Sequence, residues 1–322
     1  MKTKTKVWLT IAVAFIFGGL ALAGIGVAFG ATTNFSYYFS NGSFHFSKGS
    51  QDTVYNTVAI EDFSKLTVSS NVVDIRIVEN SDKNCIIYSV PERYVPEITG
   101  TDNLVITVPE ANVDIFNFLE FNTDESPYIL INIHDSGRDR EFDINNSTGD
   151  IYIENTAFHG NINSSTGDIH INSATCGDLK LETSSGDISM NSTTANELKV
   201  QVSTGETYYN DCTFDKMTLR SSTGDVEISS STVGSVTLNG STSDFKINDS
   251  SVKDIKVDVS TGECKLELNA SEDDYSCQLS TSTGDIKYGH NEYEKQYSRD
   301  GNGNGSIAIH TSTGDISIRF SR

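Results

Sequence analysis

The sequence predicts an all-β chain: a right-handed parallel β-helix, a solenoid of about 19 residues per coil, preceded by one transmembrane helix. Three observations predict it. An S-T-G-D-like turn recurs, its third position falling at Gly149, Gly167, Gly186, Gly205, Gly224, Ser243, Gly262, Gly284 and Gly314, at intervals of 18, 19, 19, 19, 19, 19, 22 and 30. Apolar residues two and four after that position alternate with polar ones, the period of a half-buried strand. A charge-free run of 23 residues lies near the start of the chain, long enough to cross a hydrocarbon core of about 30 Å as a helix.

That run, VWLTIAVAFIFGGLALAGIGVAF over residues 7–29, follows Lys2, Lys4 and Lys6, and the next positive charge is Lys48. The asymmetry predicts a cytoplasmic amino terminus and an extracellular remainder, hence a single-pass protein of the cell membrane. A cleaved signal peptide also fits, with Ala28-Phe29-Gly30-Ala31 as its cleavage site. A secretory apolar core is usually about 7–15 residues, so the length favours a retained anchor. Residues 1–30 then form the cytoplasmic tip and anchor, residues 31–54 an extracellular juxtamembrane linker, and residues 55–322 the repeat domain. Phe35, Tyr37, Tyr38 and Phe39 in the linker suit either an interfacial aromatic belt or a docked strand.

The array starts with FSKLTVSSNVVDIRI, residues 63–77, where Val73 stands in the glycine place and Asp74, Ile75 and Ile77 follow the template. Residues 78–141 are less regular but contain LVITV and YILINI, read as degenerate coils with insertions. From about residue 142 the coils are regular. Leu179/Leu181, Leu198/Val200, Met217/Leu219, Val236/Leu238 and Ile255/Val257 mark a second strand before each turn. Two short strands and two bends in 19 residues leave no room for a crossover helix, and parallel crossovers are right-handed as a rule. The last strand, DISIRF, is expected to be an open edge able to pair with another molecule.

The fourth turn position forms an acidic ladder: Asp150, Asp168, Asp187, Glu206, Asp225, Asp244, Glu263, Asp285 and Asp315. Its repetition points to architecture, with carboxylates accepting turn amides. No cofactor is expected. Calcium on the ladder is a minor alternative, since the cation prefers oxygen ligands. The one long break, Gly289 to Ser306, is the candidate interaction loop, carrying His290, Tyr293, Tyr297 and Arg299. A solvated excursion is the simpler reading of it. Five cysteines show no metal-ligand spacing and read as small core residues. No catalytic residues are assigned.

Lys and Arg number 23 against 44 Asp and Glu, a net charge of -21, which excludes a nucleic-acid partner bound through phosphates. The amino-terminal anchor, the LTVSSNVVDIRI strand pair and the recurrent SSTGDI turns resemble the bacterial β-strand-repeat domain of unknown function labelled a candidate adhesin. The resemblance covers roughly residues 55–322. It implies a cell-envelope or surface role, associated with envelope stress, and carries no catalytic motif. The expected function is therefore non-enzymatic. Partners would be an envelope or surface protein or glycan, plus the membrane through the anchor. The competing class is a polysaccharide lyase or hydrolase, which needs two opposed carboxylates in a groove.

Overall fold

The computed structural model describes residues 35–40, 43–48, 53–81, 83–109, 126–134 and 137–321. Two compact units divide the chain. One comprises Met1–Asp52 and Asn112–Glu125, and in it Phe35–Ser40 pairs antiparallel with Ser43–Lys48. The other comprises Thr53–Ala111 and Ser126–Arg322 and carries the repeats.

Each repeat supplies two strands to two sheets. In the first sheet, Ile151–Glu154, Ile169–Asn172, Ile188–Asn191, Thr207–Asn210 and Val226–Ser229 stack parallel, with Ile151, Ile169, Ile188, Thr207 and Val226 in register. In the second, Arg140–Asn146, Ala157–Ser164, Thr175–Thr183, Thr194–Thr204, Thr213–Thr223 and Thr232–Thr242 do the same. The alternation decides which face is inside. Ile151, Ile153, Ile169, Ile171, Ile188 and Met190 are fully buried, each contributing about 1.5–3 kcal/mol relative to exposure. The departing repeat keeps the rule, for Thr207 and Tyr209 are both buried and Tyr209 meets the ring of Phe214 edge-on at 5.9 Å.

The bend between sheets that carries the glycines is crowded. At Gly224 φ is +127°, and a Cβ would stand 1.9 Å from the carbonyl oxygen of Gly205 one row below. Any side chain there clashes with backbone. Ser243 replaces glycine one row on, and its Oγ donates to the Gly224 carbonyl at 2.6 Å. The opposite bend has its own column, with Asn155, Ser173, Ser192, Asp211, Ser230 and Asp249 all left-handed at φ +45° to +54°. Behind it lies a buried hydroxyl column. Thr156, Thr193, Ser231 and Ser250 each donate to the carbonyl two residues earlier, at 2.7–2.8 Å. Cys212 occupies the same column, its thiol 3.2 Å from the Asn210 carbonyl, so this cysteine stands in for a hydroxyl.

The fold class needs correction at both ends. Thr53–Ala59, Cys85–Pro91 and Tyr128–His134 pair antiparallel, as do Glu97–Thr99 and Asn103–Thr107. At the other end Asn291–Tyr293 folds back on Ile286–Tyr288, and Gln296–Arg299 on Tyr275–Thr283. The architecture is all-β with a mixed sheet, and not the uniform right-handed parallel β-helix expected. Repeat arithmetic registers only the parallel rows, whereas a hairpin needs just a tight connection such as Gly289 at φ +61°.

Row order also departs from chain order. Strand Asp74–Ser81 lies between Tyr128–His134 and Ile151–Glu154. Strand Ile316–Phe320 lies between Cys264–Leu268 and Ile286–Tyr288. The expectation that DISIRF forms an open edge is thus corrected: it is an interior strand.

The first row is locked by charge. Arg140 is fully buried, its Nη1 3.2 Å from Glu79 Oε1 and its Nη2 3.2 Å from Asp62 Oδ1, with the guanidinium over the Phe63 ring at 5.5 Å. Burial opposes ionisation of Asp62, but hydrogen bonds from Arg140 and Arg138 outweigh it and hold the carboxyl below its ordinary value.

Among the described residues the helical segments are two short 3-10 turns, Glu92–Tyr94 and Glu272–Asp274, and no helix is long and apolar enough to cross a membrane. The expected span over residues 7–29 lies outside the described residues. For the described residues the fold class is corrected to all-β with no transmembrane helix. The expected signal anchor and single-pass cell-membrane placement rest on that helix, find no support among the described residues and are not carried further.

Candidate functional site

The acidic ladder is one column at the bend leading into the first sheet, and its bonding runs through the backbone. Oδ1 of Asp150 accepts the amide of Asp168 at 2.9 Å, Asp168 that of Asp187 at 2.8 Å, and Asp187 that of Glu206 at 2.8 Å. Asp225 accepts from Asp244 at 3.2 Å and Asp244 from Glu263 at 2.8 Å. The terminal pair is inverted, with Asp315 accepting from the amide of Asp285 at 2.9 Å. Asp74, which follows the repeat template behind Val73 but is not counted in the expected ladder, is its first row, accepting from the Asp150 amide at 3.1 Å.

Aspartate suits this role because one methylene places Oδ1 against the amide of the next row. Glutamate is a methylene longer. Among the described residues no such bond joins Glu206 to Asp225 or Glu263 to Asp315, and the Glu206 carboxylate takes the Tyr208 hydroxyl instead. Burial pushes the Asp74 carboxyl above its ordinary value, more than the Asp150 amide and Arg76 pull it down. Among the described residues no group of three or more His, Cys, Asp or Glu side chains is placed to hold a metal ion. In most rows one carboxylate oxygen, Oδ1, already accepts an amide hydrogen bond.

The candidate loop folds over the carboxy-terminal end of the rows. Tyr293 and Tyr297 pack at 4.3 Å between ring centroids, and Tyr297 lies 4.6 Å from the buried Tyr288. Arg299 is held by Glu272 and Asp273. These three residues form a cap. His290 is exposed beside the hairpin turn, apart from the cluster.

The cap strand Gln296–Arg299 borders a depression of about 610 Å³ on the outer face of the second sheet, lined by Lys256, Asp258, Gln278, Gln296, Tyr297 and His310 among others. Ala308, Ser280 and Ser298 form its shallow floor, since their short side chains lie among longer ones. Ser280 Oγ and His310 Nδ1 are 2.9 Å apart. A histidine beside a hydroxyl is half of a nucleophilic pair, but catalysis also needs a group that orients the imidazole and an oxyanion site. Asp258 is the cross-strand neighbour of His310, and among the described residues no hydrogen bond joins them. The arrangement presents amide, hydroxyl, imidazole and ammonium groups to a polar ligand, which is binding chemistry. Sequence reasoning found Tyr297 and missed His310, Gln278, Gln296 and Asp258. The outward alternation of IAIHTST, residues 307–313, was the available signal for His310.

A family model described as Toastrack DUF4097 matches residues 63–319. The solved structure of a candidate lipid-binding protein from Parabacteroides distasonis ATCC 8503 is 14% identical with a TM-score of 0.50, the match covering 84% of this chain and 97% of that one. A candidate adhesin from Bacteroides fragilis NCTC 9343 is 15% identical with a TM-score of 0.48, covering 67% of this chain and 98% of that one. No curated protein matches the sequence. At such identities the likeness to solved structures is one of fold.

Proposed function

The chain belongs to the Toastrack DUF4097 family, and from that premise we propose that it is a non-enzymatic binding protein of adhesin type, engaging a polar cell-envelope component. The observation that carries this is the depression of about 610 Å³ under the cap strand, whose rim is built from long polar side chains and whose floor is small. Stacked rows provide a flat, rigid surface on which such groups hold fixed spacing.

The test is retention of the purified full chain on isolated bacterial envelopes. Ala308→Trp fills the floor of the depression without touching the core columns. It is expected to lower retention at least tenfold at unchanged Tm. Retention equal to that of the parent would sink the proposal.

A second reading, a polysaccharide-active enzyme, draws on the Ser280–His310 contact. Incubation with cell-wall glycans separates the two. New cleavage products that vanish in His310→Ala would support the enzyme, and an unchanged glycan profile supports the binder.

A further inference from the structure

On the outer face of the first sheet, a column of planar side chains stops and resumes. Pairing register places Arg76, Tyr152, His170, Ser189 and Tyr208 in successive rows. The Arg76 guanidinium lies 5.7 Å from the centroid of the Tyr152 ring, and Tyr152 stacks on His170 at 4.8 Å with 15° between planes. The Tyr152 and His170 rings therefore stand at the spacing of the strands themselves, about 4.7–4.9 Å, while the Arg76 guanidinium also lies 5.1 Å from the Tyr128 ring. Ser189 then omits one plane, so His170 and Tyr208 stand two spacings apart, about 9.5 Å at the backbone.

The position is bordered by tethered and polar groups. Tyr208 is 39% exposed, one of two exposed large hydrophobic residues among those described. Its hydroxyl donates to Glu206 as that of Tyr152 donates to Asp150, so both rings are tethered to the acid two residues before. Along one side runs the ladder carboxylate of Asp187. Along the other, Asn191 donates to Asn172 at 3.1 Å and to the Ser189 hydroxyl at 3.1 Å.

We propose that the Ser189 slot between His170 and Tyr208 binds one pyranose ring of a neutral glycan. A pyranose supplies the missing plane, with an apolar C–H face for an aromatic ring and a rim of hydroxyls for carboxylate and amide. A flat aromatic side chain from a protein partner would fill the gap but leave those rim groups unmatched. Anionic sugars are disfavoured by Asp187, by Glu206 and by a net charge of -21. The slot lies on the sheet other than the one carrying the depression, and it stands whether or not that depression binds envelopes.

The test is titration calorimetry of the full chain with cellotetraose and with mannotetraose, and with a galacturonic acid trimer as the anionic control. At least one neutral tetrasaccharide is expected to bind, and the trimer is not. Tyr208→Ala should weaken binding about tenfold, the loss of one stacking partner. Ser189→Tyr completes the column, and is expected to raise Tm while reducing affinity more than tenfold. Amide chemical-shift changes on titrating the parent provide a check that needs no variant, and they should centre on residues 170, 189 and 208. Failure of both tetrasaccharides to bind overturns the proposal, as does undiminished binding by a folded Ser189→Tyr or shifts centred elsewhere. Because Ala308→Trp leaves this slot intact, loss of envelope retention and loss of sugar binding are separable results.

Discussion

The backbone amide of Asp187 donates to Oδ1 of Asp168 across one row at 2.8 Å. Each ladder aspartate bonded in this way supports its neighbour's backbone, and the acid is required as an acceptor more than as a charge. Asp168→Ala should cost about 1 kcal/mol by leaving the Asp187 amide without its partner. Asp168→Asn keeps the acceptor and removes like-charge repulsion, so its Tm should match or exceed that of the parent. Glu206→Asp should restore the bond to the Asp225 amide and stabilise by about 0.5–1.5 kcal/mol. Urea denaturation of the three variants checks all three signs. A destabilised Glu206→Asp would refute the length argument.

Asp74 makes stability depend on pH. Its carboxyl is raised chiefly by burial, so the folded state holds the proton more tightly than the unfolded one. The penalty of ionising Asp74 is absent below the ordinary carboxylate value near 4 and appears as pH rises through the elevated folded value. Asp74→Asn should therefore raise Tm at pH 7, and the gain should fade towards pH 4. A gain that grows on acidification contradicts this.

The Arg140–Glu79 pair at 3.2 Å is buried on both sides. Arg140→Ala takes the guanidinium from the buried Glu79 carboxylate, which keeps the Ala157 amide at 3.3 Å, and should cost about 3–5 kcal/mol. The double variant Arg140→Leu with Glu79→Leu should recover much of that loss, because desolvation no longer opposes folding at this point. Equal destabilisation of the single and double variants in guanidinium melts would show that the pair matters for its shape alone.

Thiol reactivity should separate one cysteine from four. Cys85 is half-buried, whereas Cys176, Cys212, Cys264 and Cys277 are buried. Burial pushes the thiols of Cys212 and Cys264 up to about 11 and about 12, and raises those of Cys176 and Cys277. A disulfide reagent at pH 8 should modify at most Cys85 in the native protein and all five in denaturant. Rapid native modification of any of the other four would mean that the rows open locally.

The sequence made the rows legible because a 19-residue interval and a two-residue alternation are both periodic. The buried positions of Ile169, Ile171, Leu179 and Leu181 follow directly from that pattern. Row order was not legible, since spacing states how long a repeat is and says nothing of which repeat lies beside it. Asp74 was legible on the template behind Val73, but its bond to the Asp150 amide was not, because residues 78–141 separate the two rows in sequence. The left-handed column from Asn155 to Asp249 consists of small polar residues at near-constant spacing, a residue type that ordinary turns share and that does not by itself mark a positive φ. The depression under the cap strand draws on residues 256–310 from four strands, an arrangement no linear pattern encodes.

The inserted position of Ile316–Phe320 bears on how the molecule comes off the ribosome. Residues 275–288 emerge first, yet the parallel neighbour they require is made some thirty residues later. Until then Tyr275–Thr283 and Ile286–Tyr288 have no parallel seat of their own, and resting directly on the row ending at Leu268 would occupy the place of the strand still to come. Growth of the stack must halt at that row and wait. The carboxy-terminal end therefore closes only after synthesis has passed residue 320, and a nascent chain stalled before that point leaves the strand edges of Phe245–Thr261 and Cys264–Leu268 without the neighbours they have in the finished stack.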